Sequence, residues 1–109
     1  MKLESFPFKT INWTEVPKEE IKGETGTAWW RVQHMNDIRI RMVEYSPGFL
    51  SDHWCKKGHV FFCYDGELET ELEDGRKFIL GPGMCYTVGD NNEAHRTSTK
   101  SGCKLFIVD

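Results

Sequence analysis

An antiparallel all-β sandwich or barrel is what this sequence predicts. From Thr27 onward no stretch carries a helical period, and short apolar-alternating runs recur between turn residues at steady spacing. A third observation narrows the choice to a jelly roll. Histidines and a cysteine in separate predicted strands need an interior on which to converge, and a small jelly-roll barrel has one.

Residues 1–26 read as an N-terminal arm and residues 27–109 as the barrel domain. Pro7, Pro17, Gly23 and Gly26 punctuate the arm, and VPKEEIKG forms at most one helical turn. Phe6, Phe8, Ile11 and Trp13 are too apolar for a free tail, so the arm is expected to pack on the body or on a second subunit.

TAWWRVQH is the first strand of the barrel, turning at Met35-Asn36-Asp37. DIRIRMVEY then alternates, with Ile38, Ile40 and Met42 on one face and Arg39, Arg41 and Val43 on the other. Ser46-Pro47-Gly48 has Pro and Gly where a type II turn places them. HVFFCYD leads through Gly66 into ELETELED, and Asp74-Gly75 is a two-residue hairpin signal. RKFIL returns to a corner at Gly81-Pro82-Gly83. MCYTV, the turn Gly89-Asp90-Asn91-Asn92, EAHRTST and CKLFIV complete about eight or nine strands.

The stretch Gly48–Gly66 packs His53, Cys55 and His59 into a short span. On an extended strand His53 and Cys55 point the same way, and beyond the Lys57-Gly58 turn His59 can face back toward them. Imidazoles and a thiol are soft donors that suit zinc, iron, nickel or copper in preference to magnesium or calcium. A lone strand histidine or cysteine is more often structural. Three at this spacing, with His95 in a turn-flanked strand downstream, favour a metal site.

The 109 residues make one domain, and 39% hydrophobic with 28% charged is a globular composition. A net charge of −3 gives no nucleic-acid surface. The longest apolar run, Val60 to Tyr64, is too short to cross a bilayer, and the first residues lack signal-peptide features. The four cysteines read as thiols in a reducing cytoplasm, with Cys63, Cys85 and Cys103 buried in strands.

Gly48-x4-His53-x-Cys55-x3-His59-x6-Gly66 resembles the first motif of the cupin superfamily, G-x5-H-x-H-x3,4-E-x6-G. Gly83 followed by His95 resembles the second, G-x5-P-x-G-x2-H-x3-N, although Gly89 and Asn91 replace its Pro and second Gly and its histidine comes one residue late. The match is closer to the short DHCW-motif cupin fold proteins. It rests on Asp52-His53-Trp54-Cys55, Lys57-Gly58-His59, Asp74-Gly75, His95-Arg96 and the ending Leu105-Phe106-Ile107-Val108-Asp109. The resemblance implies a small β-barrel, commonly a homodimer, holding one metal. His53 stands at the first motif histidine, Cys55 at the second, His59 at the glutamate and His95 at the last histidine. A thiolate in place of a carboxylate preserves the ligand charge.

One divalent transition metal is therefore expected on His53, Cys55, His59 and His95: zinc first, iron(II) second, with nickel or copper compatible. Two functions follow. One is a metal-dependent enzyme on a small molecule, of oxygenase, isomerase or lyase type. The other is a non-catalytic metal or small-molecule binding module. No nucleic-acid or membrane partner is expected.

Other residues carry alternatives. Arg39 and Arg41 are solvated if the apolar face of their strand lies inward, or hold an anionic substrate if the polar face does. Arg96 points away from the metal, and Tyr45, Phe61 and Tyr86 are core or pocket wall. Glu44 and Asp90 are candidates to orient a ligand histidine, and His34 has no role.

Overall fold

The computed structural model describes residues 3–109 and contains nine strands: β1 (Glu19–Lys22), β2 (Thr27–Met35), β3 (Ile38–Tyr45), β4 (His59–Gly66), β5 (Leu68–Leu72), β6 (Lys77–Leu80), β7 (Cys85–Val88), β8 (His95–Ser98) and β9 (Cys103–Val108). They form a six-stranded sheet in the order β1-β2-β3-β9-β4-β7 and a three-stranded sheet in the order β6-β5-β8. Every pairing is antiparallel. Among the described residues there is no α-helix, and no helix is long and apolar enough to cross a membrane.

The turns obey their local chemistry. Phe49 N–H donates to Ser46 C=O at 3.1 Å, and Gly48 sits at φ 80° between them, so Ser46-Pro47-Gly48 is a type II turn. Asp74 accepts from Arg76 N–H at 3.1 Å while Gly75, at φ 97°, closes the β5–β6 hairpin.

The sheets close over Val43, Phe61, Cys63, Leu68, Leu80, Cys103, Leu105 and Ile107. In β9, Cys103, Leu105 and Ile107 are buried in alternation, as a strand with one face on the core must be. Gly66 is where β4 must approach β9 closely. A Cβ there would stand 2.2 Å from Gly102 O, and its φ of 76° disfavours any side chain.

Some expectations need correction, and the open choice of face on β3 is resolved. EEIK is a strand, not a helical turn. β1 pairs with β2 from Glu19↔Trp30 to Lys22↔Thr27, so the sheet edge begins before residue 27. The inward face of β3 is the one carrying Arg39, Arg41 and Val43: Arg41 lies opposite Ile107 and Val43 opposite Leu105. Cys85 is exposed, because it lies on β7 at the edge of the sheet, opposite the half-exposed Phe62.

The stretch from Phe49 to Gly58 is not a strand. It runs beside β8, touching it through an isolated bridge at Leu50↔Ser98 and another at Cys55↔His95. Ser51 N–H donates to Thr97 C=O at 3.0 Å, and Cys55 N–H to His95 C=O at 2.8 Å. From Ser51 to Cys55 the chain advances four positions while from Thr97 to His95 it retreats two, so two surplus residues (4 − 2) bulge out of the ladder.

Candidate metal centre

That bulge decides which ligands meet. Cys55 lies beyond it, fixed opposite His95 by hydrogen bonds in both directions, with His95 N–H donating to Cys55 C=O at 3.0 Å. His59 opens β4 on the face that also carries Phe61 and Cys63, both buried. Cys55, His59 and His95 thus bring one ligand atom each within 4.8 Å of one another. Cys55 Sγ stands 3.2 Å from His59 Nε2, and the two imidazoles cross edge to face with centroids 5.1 Å apart.

His53 does not join them. It rides on the bulge, its side chain 71% exposed, with Nδ1 2.6 Å from Asp52 Oδ1. The expected set of four is three in this structure, because the segment is not extended and strand alternation does not apply to it.

The outer nitrogen of each imidazole is engaged. His59 Nδ1 is 2.9 Å from Asp109 Oδ2, and His95 Nδ1–H donates to Glu93 C=O at 2.9 Å. Both Nε2 atoms are left for the space beside the thiol. His95 Nε2 is buried with no hydrogen-bond partner, which is costly unless something else occupies its lone pair. Hydrogen bonding from His59, with the His95 ring beside it, pushes the Cys55 thiol down to about 5. Burial opposes a charged His59, but the hydrogen bonds to Asp109 and Cys55 outweigh it and raise its pKa. The donors are soft, oriented and close together, and they fit a divalent transition ion.

Aromatic rings wall this group. Phe61 meets His59 at 5.3 Å and stacks on Tyr86 at 4.7 Å, and Tyr86 meets the edge of His95 at 5.9 Å. A cavity of about 200 Å³ opens beyond His95, lined by Thr70, Leu72, Phe78, Tyr86 and Val88 among others. Tyr86 Oη is buried without a partner beside it, and burial keeps the phenol protonated by raising its pKa. A wider cleft of about 790 Å³ runs past His59, Asp109, Lys57 and Glu93 at the end of the barrel.

Arg41 is buried and Arg39 only part-exposed, and both are committed to Asp109. Arg39 grips Asp109 through two hydrogen bonds of 2.8 and 3.0 Å, and Arg41 Nη2 donates to Asp109 Oδ2 at 2.8 Å. Glu44 and Asp90 do not orient a ligand: Glu44 faces Lys18 at 3.9 Å, and Asp90 accepts from Gly58 N–H at 2.7 Å. Arg96 bonds Ser51 C=O and Glu24, away from the centre as expected. Tyr45 stacks on Phe49 at 4.1 Å, and His34 is exposed. Sequence reading passed over Asp109. Continuing the alternation of Cys103, Leu105 and Ile107 by one step puts it on the inward face, a signal that was present.

No protein-family model and no curated protein matches the chain. Solved structures do. A cupin-2 domain protein from Shewanella frigidimarina NCIMB 400 is 26% identical, over 73% of this chain and 78% of that one, with a TM-score of 0.60. A predicted oxalate decarboxylase from Thermotoga maritima superposes over 92% of this chain and 96% of its own at 15% identity, TM-score 0.77. A polyketide cyclase from Streptomyces resistomycificus covers 94% and 78% respectively at 20% identity, TM-score 0.74. With two antiparallel sheets closed on one core and these neighbours, the chain has the cupin fold.

Proposed function

We propose that this cupin is a metal-dependent enzyme acting on a small molecule, of oxygenase, isomerase or lyase type. Cys55, His59 and His95 would hold one divalent ion, zinc first and iron(II) second. The observation that carries this reading is the count of converging donors. Three protein ligands leave a coordination position open, whereas a fourth would close it as in structural sites. An ion bound there supplies Lewis acidity toward an oxygen-bearing ligand. The chain supplies the rest: Tyr86 Oη as an unused neutral donor, the hydroxyl of Thr70, and apolar walls from Phe78 and Val88. The cavity of about 200 Å³ limits the ligand to a small one. Structural neighbours described as a predicted oxalate decarboxylase and a polyketide cyclase support a fold that hosts such chemistry.

Protein purified without a polyhistidine tag from metal-replete medium is expected to carry near one equivalent of metal by elemental analysis. Well under one equivalent sinks the assignment. Cobalt(II) in the site should give a thiolate charge-transfer band, and added azide should shift the ligand-field bands. A spectrum indifferent to azide would mean a closed site and favour the non-catalytic binding module. The ion ties Cys55 and His59 to the strand of His95, so it stabilises the native state by RT ln(1 + [L]/Kd), about 4 kcal/mol when free metal exceeds Kd a thousandfold. Stripping it with a chelator should lower the melting midpoint and leave one cooperative transition, since the core does not include the ligands.

We further read the protein as a cytoplasmic homodimer, placed among the short DHCW-motif proteins by Asp52-His53-Trp54-Cys55 and His95-Arg96. Four free cysteines suit a reducing compartment. Phe62 and Tyr64 stand part-exposed on the outer face of β4, and Phe8 is 94% exposed on the arm. A second copy covering that sheet face and arm would bury them. Sedimentation at micromolar concentration should give twice the mass of 12.7 kDa, and a monomer there overturns the reading.

A further inference from the structure

We propose that Asp109, clamped by Arg39 and Arg41, is the positioning residue of the metal centre, holding the proton of His59 on Nδ1 and aiming Nε2 at the space shared with Cys55 and His95. The proposal rests on the metal reading above. It assigns a role to residues whose pairing serves neither the surface nor a substrate.

The geometry is directional. A carboxylate only accepts hydrogen bonds, so the His59 nitrogen 2.9 Å from Asp109 Oδ2 must carry the proton, and Nε2 is left as the donor atom toward an ion. The carboxylate in turn has little freedom to move. Oδ1 takes Arg39 Nε at 2.8 Å, and Oδ2 takes Arg39 Nη2 at 3.0 Å and Arg41 Nη2 at 2.8 Å. The fork of Arg39 fixes the carboxylate plane, which a single lysine contact would not do. Both guanidiniums lie over Trp30, at 5.4 and 4.5 Å from its centroid, so the clamp is itself seated on a ring of β2.

The cost of the arrangement argues that it has a use. The Asp109 side chain is 0% exposed, and Arg41 keeps an unpartnered Nε. Apolar residues of similar volume would fill such a place at least as stably. Removing a carboxylate that orients a metal-bound histidine typically weakens metal binding by about tenfold to a hundredfold.

Asp109→Asn nearly keeps the shape and removes the charge. Zinc affinity, read by competition with a chromogenic chelator, is expected to fall by about tenfold to a hundredfold. Proton NMR supplies a readout that mere instability does not give. Wild type, with or without zinc, should show a downfield, slowly exchanging His59 Nδ1–H. In Asp109→Asn, whose neutral amide oxygen is a weaker acceptor, that proton should move upfield and exchange faster. Leu105→Ala serves as control, being a core change outside the centre, and should lower the melting midpoint while leaving affinity and ring proton unchanged. Wild-type affinity together with an unchanged shift and exchange rate of the ring proton in Asp109→Asn overturns the proposal. If wild type takes up no metal, the metal reading fails, and the ring proton alone decides whether Asp109 positions His59. Should Asp109→Asn not fold, Arg39→Lys is read instead. A loss of affinity smaller than the about tenfold to hundredfold cost of removing the orienting carboxylate supports the clamp, and no loss overturns it.

Discussion

Cys55→Ser and His59→Ala should each empty the metal centre, while His53→Ala should leave it loaded. The first two remove donor atoms from a group that lies within 4.8 Å, and each leaves only two of three ligands. Affinity should drop by more than about a hundredfold, beyond what loss of an orienting partner costs. His95→Ala belongs with them and also removes the buried, unpartnered Nε2. His53 is 71% exposed on the bulge and bonded to Asp52, so its removal touches neither the donors nor the core. Metal per chain after dialysis against a weak chelator separates the cases. If His53→Ala loses its metal as Cys55→Ser does, the segment between Ser51 and Cys55 must refold to bring His53 inward, and the three-ligand centre is wrong.

The sequence made the strands and turns readable because their signals are local. Asp74-Gly75 and Pro47-Gly48 impose backbone angles whatever surrounds them, and the structure has turns at both. Cys55, His59 and His95 were legible as candidate donors by type and spacing, and the structure brings them together. His53 was misplaced because the two surplus residues of the bulge are fixed by pairing with β8, a long-range fact that alternation along one segment does not contain.

The face of β3 was obscured for a different reason. Periodicity assumes that apolar side chains point inward. Here Arg39 and Arg41 take the inner face because the buried Asp109 carboxylate, close to seventy residues away, pairs with both of them there. Ile40 and Met42 consequently lie on the outer face, Met42 opposite Phe106, which Trp13 of the arm meets at 6.5 Å. β1 was missed because EEIK has too little apolar content to signal a strand. Its backbone pairing with β2 makes it one.

Arg41→Met should be the most damaging single change to stability outside the apolar core, costing about 3 kcal/mol or more of the roughly 5–15 kcal/mol typical of a domain this size. Arg41 is 5% exposed, pairs with the fully buried Asp109 carboxylate, and lies over Trp30 at 4.5 Å. Methionine restores much of the volume, so the loss reports the broken ion pair and hydrogen bond to Asp109 more than a cavity. Asp109 still has Arg39 and His59 as partners, which places the cost toward the lower end of the range for a broken buried pair. A double-mutant cycle isolates the pair. In an Asp109→Asn background the carboxylate is already gone, so Arg41→Met should then cost at least 1 kcal/mol less, within the usual span of coupling energies for contacting residues. Urea unfolding of the metal-free proteins at neutral pH measures all four corners. Equal costs in both backgrounds would mean that Arg41 stabilises the barrel by packing on Trp30 alone, and that the clamp on Asp109 contributes nothing to the fold.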